Sequence, residues 1–551
     1  MSNRFVKGAM VLSISLFLVR ALGLIYIMPF QYFVGFAGLA LYSYAYVPYT
    51  ILISLSGLGI PGGISKFVSK YNAAGEYDTS RKIFRLGMIC MIILGVVSFS
   101  IMYFGAPFFA RVVMAGDDMY NTVDDVVTVI RMLSFAVLVV PAMSIFRGFF
   151  QGNQDMRPTA DSQLVEQIIR IAIIIVGSFV VVSLFGGSIQ TAVNISVFAA
   201  FVASIGALFV LLRHWRLRRD EFDAQLPKSI PHEQHSLKKL FKELLSYALP
   251  FAVLSLIASL FQLIDTMTFN RLMLGTGMDR VLVEEISGIY ITGLFKVVMI
   301  PVSFAIAFGQ PLMPEITERI QVKNFTGVRQ TISSALMLTS FVTIPAVVGL
   351  WLLSNPVFGL LFSSDAELAG IGGSIFGFGA FIAIFLGLNA ILDAIMQGLG
   401  KQYIALRFLL VGVVIKLIGN LILIPFFQVN GAIIATILAY LACIILKILV
   451  IKKTTRISVP RIAKKHIAIL AITIAMAIAV WISTFILNIF IDYSASRLQA
   501  LIYVLVAGGI GIVVYGGLAL YLDIAEKILG HMAIFDRIKA KFSRLGNKKV
   551  N

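Results

Sequence analysis

Charged side chains are scarce in this sequence, at 13% of 551 residues, while hydrophobic residues make up 59%. A soluble protein of this length could not cover so much apolar surface, so the composition excludes a soluble globular domain and indicates a lipid environment. With only two cysteines, Cys90 and Cys443, a disulfide framework is also excluded. No phosphate-binding glycine loop occurs, and none of the five histidines has ligand spacing with cysteines. We therefore expect no enzymatic activity, no catalytic residues, no cofactor and no metal site.

Long apolar runs recur along the chain, each close to the roughly 20 residues that a membrane-spanning helix needs. Backbone groups in hydrocarbon must bond within their own segment, so these runs predict helices. The first run is too long for the apolar part of a signal peptide. The sequence thus predicts an all-α integral membrane protein of about fourteen transmembrane helices. The predicted spans are 6–30, 40–62, 84–108, 127–150, 161–185, 189–212, 243–271, 286–311, 328–353, 371–398, 404–426, 429–451, 466–490 and 499–522.

The basic residues predict the topology. Lys and Arg concentrate in the loops after the even-numbered spans and in the C-terminal tail, whereas only Arg111, Arg271, Arg280 and Arg497 fall in the other loops. Cytoplasmic loops of membrane proteins carry such an excess, so we expect both termini to be cytoplasmic. The net charge of +18 is explained by this asymmetry and by attraction to anionic membrane lipids, and nucleic-acid binding is not expected.

An internal repeat divides the chain. Span 4 ends in Phe-Phe-Gln-Gly (149–152) and span 10 in Ile-Met-Gln-Gly (395–398), and a cation, Arg170 or Lys416, lies 18 residues after each final glycine. Six spans are an even number, so both halves enter the membrane from the same side and form parallel repeats, with a site expected between them. The predicted parts are a six-helix bundle at 1–213, a cytoplasmic linker at 214–242, a second six-helix bundle at 243–451, and two further helices with a basic tail at 452–551.

Ionisable residues within the spans are the main functional signal, because each is costly to expose to lipid. The cations outnumber the anions, which favours an anionic substrate such as a phosphate or diphosphate. Simpler interpretations stay open for some of them: Lys447 could extend to the membrane surface, Arg147 could be an interfacial anchor, and Arg170 could pair with Glu166 one turn away. These residues are Arg20, Arg147, Arg170, Asp265, Lys296, Asp393, Lys416 and Lys447.

Three segments resemble a known family. The run 59–72 (GIPGGISKFVSKYN) resembles the loop after span 2 in polysaccharide exporters of the MOP superfamily, and 295–307 (FKVVMIPVSFAIA) resembles a helix of lipid II flippases of the MurJ/MviN type. Residues 420–436 resemble the turn between their spans 11 and 12. The resemblance covers the whole chain and is greatest to the Gram-positive SpoVB/YtgP-like branch.

This resemblance implies roles for particular cations. Arg20 and Lys296 match arginines of the family's cavity, where cations are thought to hold the lipid diphosphate. Lysine keeps the charge but loses the bidentate fork of arginine. Tyr26 stands where some members have a further arginine, so we expect Arg147 and Arg170 to supply the remaining positive charge.

The resemblance also implies a coupling site. Some members bind sodium at positions that correspond here to Asp265, Lys416, Asn420, Ala432 and Thr436. A lysine cannot ligate a cation. We therefore predict that the Lys416 ammonium replaces the ion and pairs with Asp265 as a built-in counter-ion.

The function predicted is translocation of undecaprenyl-diphosphate-linked peptidoglycan precursor (lipid II) from the inner to the outer leaflet by alternating access. The alternatives are a flippase for another lipid-linked polysaccharide unit and a MATE-like cation or drug antiporter, whose cavity should be acidic. The expected setting is the bacterial plasma membrane. The expected partners are the lipid-linked anionic glycan, membrane lipids and cell-wall synthesis proteins, with the chain itself a monomer.

Overall fold

The computed structural model describes residues 15, 18–19, 22–23, 26–57, 59–114, 121–230, 236–362 and 366–524. These residues are helical almost throughout, and none of them lies in a β-strand. Two short stretches, Val180–Leu184 and Gly288–Leu294, are π-helical. The α-helices are α1 (Ile27–Gly57), α2 (Gly59–Ala73), α3 (Tyr77–Phe104), α4 (Ala106–Val113), α5 (Val123–Gly152), α6 (Arg157–Phe179), α7 (Ile189–Leu217), α8 (Arg219–Asp223), α9 (Leu237–Leu274), α10 (Arg280–Ser287), α11 (Phe295–Gln321), α12 (Phe325–Leu352), α13 (Ser354–Leu361), α14 (Ala366–Gly379), α15 (Ile382–Gly398), α16 (Gln402–Thr455), α17 (Val459–Phe490) and α18 (Arg497–Tyr521).

Eleven helical segments of the described chain are long and apolar enough to cross a membrane. The prediction of an all-helical membrane protein is confirmed, whereas the count of fourteen spans stays a prediction. Helix α16, 54 residues long, covers both predicted spans 404–426 and 429–451. Helix α9 contains the predicted span 243–271. Most of the first predicted span, 6–30, lies outside the described residues, as does the basic tail after residue 524.

Two sharp turns interrupt long helices, α1 and α16. In α1 the backbone breaks at Gly35 (φ 67°), a conformation that glycine adopts without steric cost. In α16 the break is at Gln428 (φ 51°, ψ −130°). Beyond this second turn, a Cβ atom on Gly431 would lie 2.3 Å from the Leu423 carbonyl oxygen, so the chain passes too close there for any side chain.

The described chain forms two compact units. Unit 1 comprises Met1–Ile300 and Gln402–Ala442, and unit 2 comprises Pro301–Lys401 and Cys443–Asn551. In unit 1, helix α5 packs against α1, α2, α3 and α7, and in unit 2 the pair α17 and α18 packs against α12. Helices α11 and α16 each pass from one unit into the other. The domain boundaries inferred from the internal repeat stay a prediction.

An aromatic cluster anchors the predicted linker within unit 1. Phe149, Trp215 and Phe222 pack together, and the Arg81 guanidinium lies over the Trp215 ring, 4.9 Å from its centroid. Arg81 also pairs with Asp223 of α8 at 2.6 Å. These contacts hold the segment after α7 against the start of α3, so the first part of the linker is an ordered element of unit 1.

Candidate functional site

Lys296 lies at the start of α11, immediately after the π-helical stretch Gly288–Leu294. Its Nζ donates a hydrogen bond to the Tyr26 hydroxyl and lies 4.2 Å from the centroid of the same ring. The Tyr42 ring centroid is 5.9 Å away. A cation over aromatic rings is stabilised without being neutralised. The sequence showed no local partner for Lys296, and the structure supplies one from a residue 270 positions away.

Arg147 and Arg170, both predicted to contact substrate, meet at a single carboxylate. Arg147 Nη2 lies 2.9 Å from Glu166 Oε2, and Arg170 Nη2 lies 2.7 Å from Glu166 Oε1. Arg147 also donates through Nε to the Ser162 hydroxyl at 3.0 Å. The local pairing of Arg170 with Glu166 is therefore present, but it is shared with a second arginine. The group of Arg147, Glu166 and Arg170 is called the arginine triad below.

A row of tyrosines on α1 extends from Lys296 toward the arginine triad. Tyr42 and Tyr46 are stacked, with centroids 5.1 Å apart, and Tyr46 and Tyr49 are at the same separation. Arg170 is close enough to interact electrostatically with all three. The spacing of these residues, at i, i+4 and i+7, places them on one helical face, and that pattern is the signal through which the sequence could have revealed them. Arg20, the remaining predicted contact, lies outside the described residues.

The predicted ion pair of Asp265 and Lys416 is fully buried in unit 1. Lys416 Nζ lies 2.5 Å from Asp265 Oδ1, and the side chains are 0% and 1% exposed. The same ammonium donates to the Ala432 carbonyl oxygen at 3.0 Å and to Thr436 Oγ1 at 2.7 Å. Three oxygens therefore surround the lysine nitrogen.

Further hydrogen bonds complete the environment of Asp265. Asn420 Nδ2 donates to Asp265 Oδ1 at 2.9 Å and to Thr268 Oγ1 at 2.8 Å, while the Tyr290 hydroxyl donates to Asp265 Oδ2 at 2.9 Å. A buried charge pair persists only when its other lone pairs and protons are satisfied in this way. Among the described residues, no group of three His, Cys, Asp or Glu side chains could hold a metal ion.

The turn at Gln428 explains how α16 contributes to this site from two directions. It folds the helix back on itself, so that Lys416 and Asn420 on one side meet Ala432 and Thr436 on the other. A Cβ atom on Gly419 would lie only 2.8 Å from the Ala435 Cβ, which shows how closely the two arms approach.

Sequence reasoning missed a buried carboxylate, Glu284 of α10. Its Oε1 accepts from Asn121 Nδ2 at 2.7 Å and from the Tyr44 hydroxyl at 3.3 Å. Asn121 donates in addition to the Ala37 carbonyl oxygen, and Asn270 donates to the Tyr44 hydroxyl. This network joins segments of unit 1 that the topology prediction places near the external side. The signal in the sequence was a glutamate at the edge of an apolar run.

Unit 2 contains a second ion pair, in which the Lys447 side chain is 2% exposed and that of Asp393 is 13% exposed. Lys447 Nζ lies 2.6 Å from Asp393 Oδ1 and donates to Asn389 Oδ1 at 2.6 Å. The idea that Lys447 extends to the membrane surface is wrong, because the residue is only 1% exposed. Asp393 lies one turn beyond Asn389 on α15, so one helical face provides both acceptors for the lysine.

Comparison with known proteins identifies the family. The family described as polysaccharide biosynthesis protein matches residues 5–320. The lipid II flippase MurJ of Bacillus subtilis is 40% identical over 531 residues, which cover 96% of this chain and 97% of the relative. The chain belongs to the polysaccharide biosynthesis protein family. The 40% identity confirms the predicted likeness to flippases of the MurJ type.

Solved structures agree on the fold. A lipid II flippase MurJ in an inward closed conformation has a TM-score of 0.64 at 16% identity, and the alignment covers 94% of this chain and 99% of that one. The eukaryotic MATE transporter AtDTX14 has a TM-score of 0.60 at 17% identity, covering 82% and 96%. The chain therefore shares the fold of these membrane transporters.

Proposed function

We propose that this protein is a flippase of the bacterial cell membrane that moves lipid II from the inner to the outer leaflet by alternating access. The observation that carries the proposal is the 40% identity to the Bacillus subtilis lipid II flippase over nearly the full length of both chains. The cation-rich interior of unit 1 supports it, because the cargo carries a diphosphate. The assignment to the SpoVB/YtgP-like branch, the cytoplasmic termini and the monomeric state belong to the same proposal.

Lys296 and the arginine triad, together with Arg20, are proposed to receive the diphosphate. The partner of Lys296 is a phenol, which accepts a hydrogen bond without adding a formal charge, so the ammonium keeps its charge for an anionic ligand. The triad contains two guanidiniums and one carboxylate, so it also carries a positive surplus. Guanidinium groups suit phosphate recognition because their donors match its oxygens in pairs.

The pair of Asp265 and Lys416 is proposed to act as a built-in counter-ion pair in place of a bound cation, with Asn420 and Thr436 completing the site. Support comes from the three oxygens around Lys416 Nζ, an arrangement that would otherwise suit a small cation. We therefore expect flipping by the wild-type protein to be unchanged when sodium is replaced by choline.

The test is depletion of the protein in cells that lack any other lipid II flippase, followed by measurement of lipid II in each leaflet. Lipid II is expected to accumulate on the inner leaflet. A plasmid copy carrying Lys296→Gln should fail to restore export, whereas Lys296→Arg should restore it, because charge is the property required. Normal delivery to the outer leaflet in depleted cells would refute the proposed function.

Two alternatives have specific support. The family description, polysaccharide biosynthesis protein, also suits a flippase for another lipid-linked polysaccharide unit. The structural likeness to AtDTX14 favours a cation or drug antiporter, but the surplus of cations in the arginine triad of unit 1 disfavours a cationic cargo. Accumulation of a different lipid-linked glycan in depleted cells would favour a flippase for another polysaccharide unit. Efflux of a cationic dye that is lost on depletion and restored by the plasmid copy would favour the antiporter.

A further inference from the structure

Glu166 is shared between two arginines that it cannot fully satisfy. Each of its carboxylate oxygens accepts from one guanidinium, at 2.9 Å from Arg147 and 2.7 Å from Arg170. The buried Nε atom of Arg170 has no hydrogen-bond partner among the residues described. The arginine triad therefore holds one negative charge against two positive ones and retains an unused donor.

The triad differs from the ion pair of Asp265 and Lys416 in its accessibility. The side chains of Arg147, Glu166 and Arg170 are 15%, 15% and 16% exposed, whereas those of Lys416 and Asp265 are 0% and 1% exposed. The contacts between Asp265 and Lys416 cannot be exchanged for contacts with a ligand, because neither side chain is accessible from outside the protein. The three side chains of the triad keep exposed surface, so their contacts can be exchanged for those of an incoming ligand.

The chemistry of the exchange follows from the geometry of guanidinium. Its planar fork of donors binds carboxylate and phosphate in the same manner. A diphosphate offers more oxygens and more negative charge than one carboxylate, so it can also engage the unused Arg170 donor. Glu166 thus occupies, within the protein itself, the position that an anionic ligand of the two arginines would take.

We propose that Glu166 is an internal anion that holds Arg147 and Arg170 in place until a phosphate group of the substrate displaces it. The inference rests on the proposed function, since it assumes a diphosphate-linked cargo. Glu166 keeps the arginines ordered when no substrate is bound. When its carboxylate binds the arginines again, it promotes release of the headgroup at the outer leaflet. Glu166 is accordingly a positioning residue. It keeps the two arginines in place for the substrate, and because it competes with the substrate phosphate for them, it also lowers the affinity for the substrate.

The test compares binding of undecaprenyl diphosphate and of uncharged undecaprenol to the purified full-length protein by native mass spectrometry. Glu166→Gln removes the competing charge, and since hydrogen bonds to charged groups are the strong ones, the affinity for undecaprenyl diphosphate should rise about tenfold. Binding of undecaprenol should not change. Arg170→Gln should instead weaken binding of the diphosphate.

Asp223→Asn is the matched control. Asp223 also lies between two arginines, 2.6 Å from Arg81 and 3.4 Å from Arg219, but in the predicted linker. Loss of this carboxylate should leave both affinities at their wild-type values. Any general effect of freeing arginines from a carboxylate would appear in this variant too.

The outcomes separate the two proposals. If wild-type protein prefers the diphosphate but Glu166→Gln binds it no more tightly, the internal-anion role is wrong and the flippase proposal survives. If wild-type protein binds both lipids equally, both fall. Should Glu166→Gln not fold, Glu166→Asp keeps the charge with a shorter reach and should bind the diphosphate more tightly than wild type by a smaller factor; equal affinity would overturn the inference.

Discussion

Replacement of Lys416 by methionine tests the buried ion pair most directly. Methionine has similar length but no charge, so the Asp265 carboxyl group would remain buried without its partner. Removal of one member of a buried pair costs about 3–5 kcal/mol of folding free energy. The cost should lie toward the upper end of this range. Both side chains are fully buried, and the ammonium also donates hydrogen bonds to the Ala432 carbonyl oxygen and to Thr436 Oγ1.

The assay is thermal unfolding of the purified protein in detergent micelles. Lys416→Met should unfold at a clearly lower temperature than wild type. The double variant Asp265→Asn with Lys416→Met should recover most of the loss, because removal of both charges of a buried pair is often close to neutral. The coupling between the two changes then measures the pair itself.

The matched control is Lys82→Met. Lys82 pairs with Asp78 at 3.3 Å, but the side chains are 38% and 36% exposed, and surface pairs contribute about 0–1 kcal/mol. Equal unfolding temperatures for Lys416→Met and Lys82→Met would refute the view that Lys416 is an essential counter-ion.

Replacement of Lys416 by alanine provides a second test, the response of the unfolding temperature to added cations. Lys416→Ala leaves space beside three oxygens, so added sodium should raise the unfolding temperature of this variant through binding to the folded state. Choline should have no such effect, and the wild-type protein should respond to neither. An identical response of Lys416→Ala to both cations would contradict the cation-like role of the ammonium.

Three further predictions concern stability, each measured as the unfolding temperature of the purified protein. Lys447→Met leaves the partly buried Asp393 carboxylate without its cation and should cost up to about 3–5 kcal/mol, whereas loss of a lysine at the membrane surface would cost almost nothing. Gly431→Ala should cost about 1–3 kcal/mol by overpacking against the Leu423 carbonyl, while Gly349→Ala, where a Cβ meets open space, should be tolerated. Glu284→Ala leaves buried donors unsatisfied and should cost about 1–3 kcal/mol, while Glu284→Gln, which keeps an acceptor, should cost less.

The fold was largely predictable because membrane helices are limited by local rules. A run of apolar residues must satisfy its own backbone hydrogen bonds in lipid, so composition and length suffice to place it. Predicted span 127–150 lies within α5, for example, and predicted span 328–353 nearly coincides with α12. Hydropathy also divided α16 into two spans at 427–428, where the backbone turns at Gln428, but the positive φ of this glutamine could not be read from the sequence.

The candidate site was predictable in its residue types and in two of its pairs, Asp265 with Lys416 and Arg170 with Glu166, but not in its other contacts. Scarce charges within apolar runs singled out Asp265, Lys296 and Lys416, since each would be costly in lipid without a partner. Which partner each one has depends on contacts between segments distant in the chain. Lys296 and Tyr26 are 270 positions apart, and no local pattern links them.

What the sequence by itself determined is that this chain is a helical membrane protein with a surplus of positive charge within its apolar segments, because hydrophobicity and the cost of charge in lipid are properties of residues wherever they lie. Only the tertiary structure decided how those charges are arranged. The arginine triad shares one carboxylate and stays partly exposed, while Lys416 and Asp265 are sealed together. Interactions between charges depend on distances of a few ångströms and on access to solvent, and these quantities exist only once helices have packed.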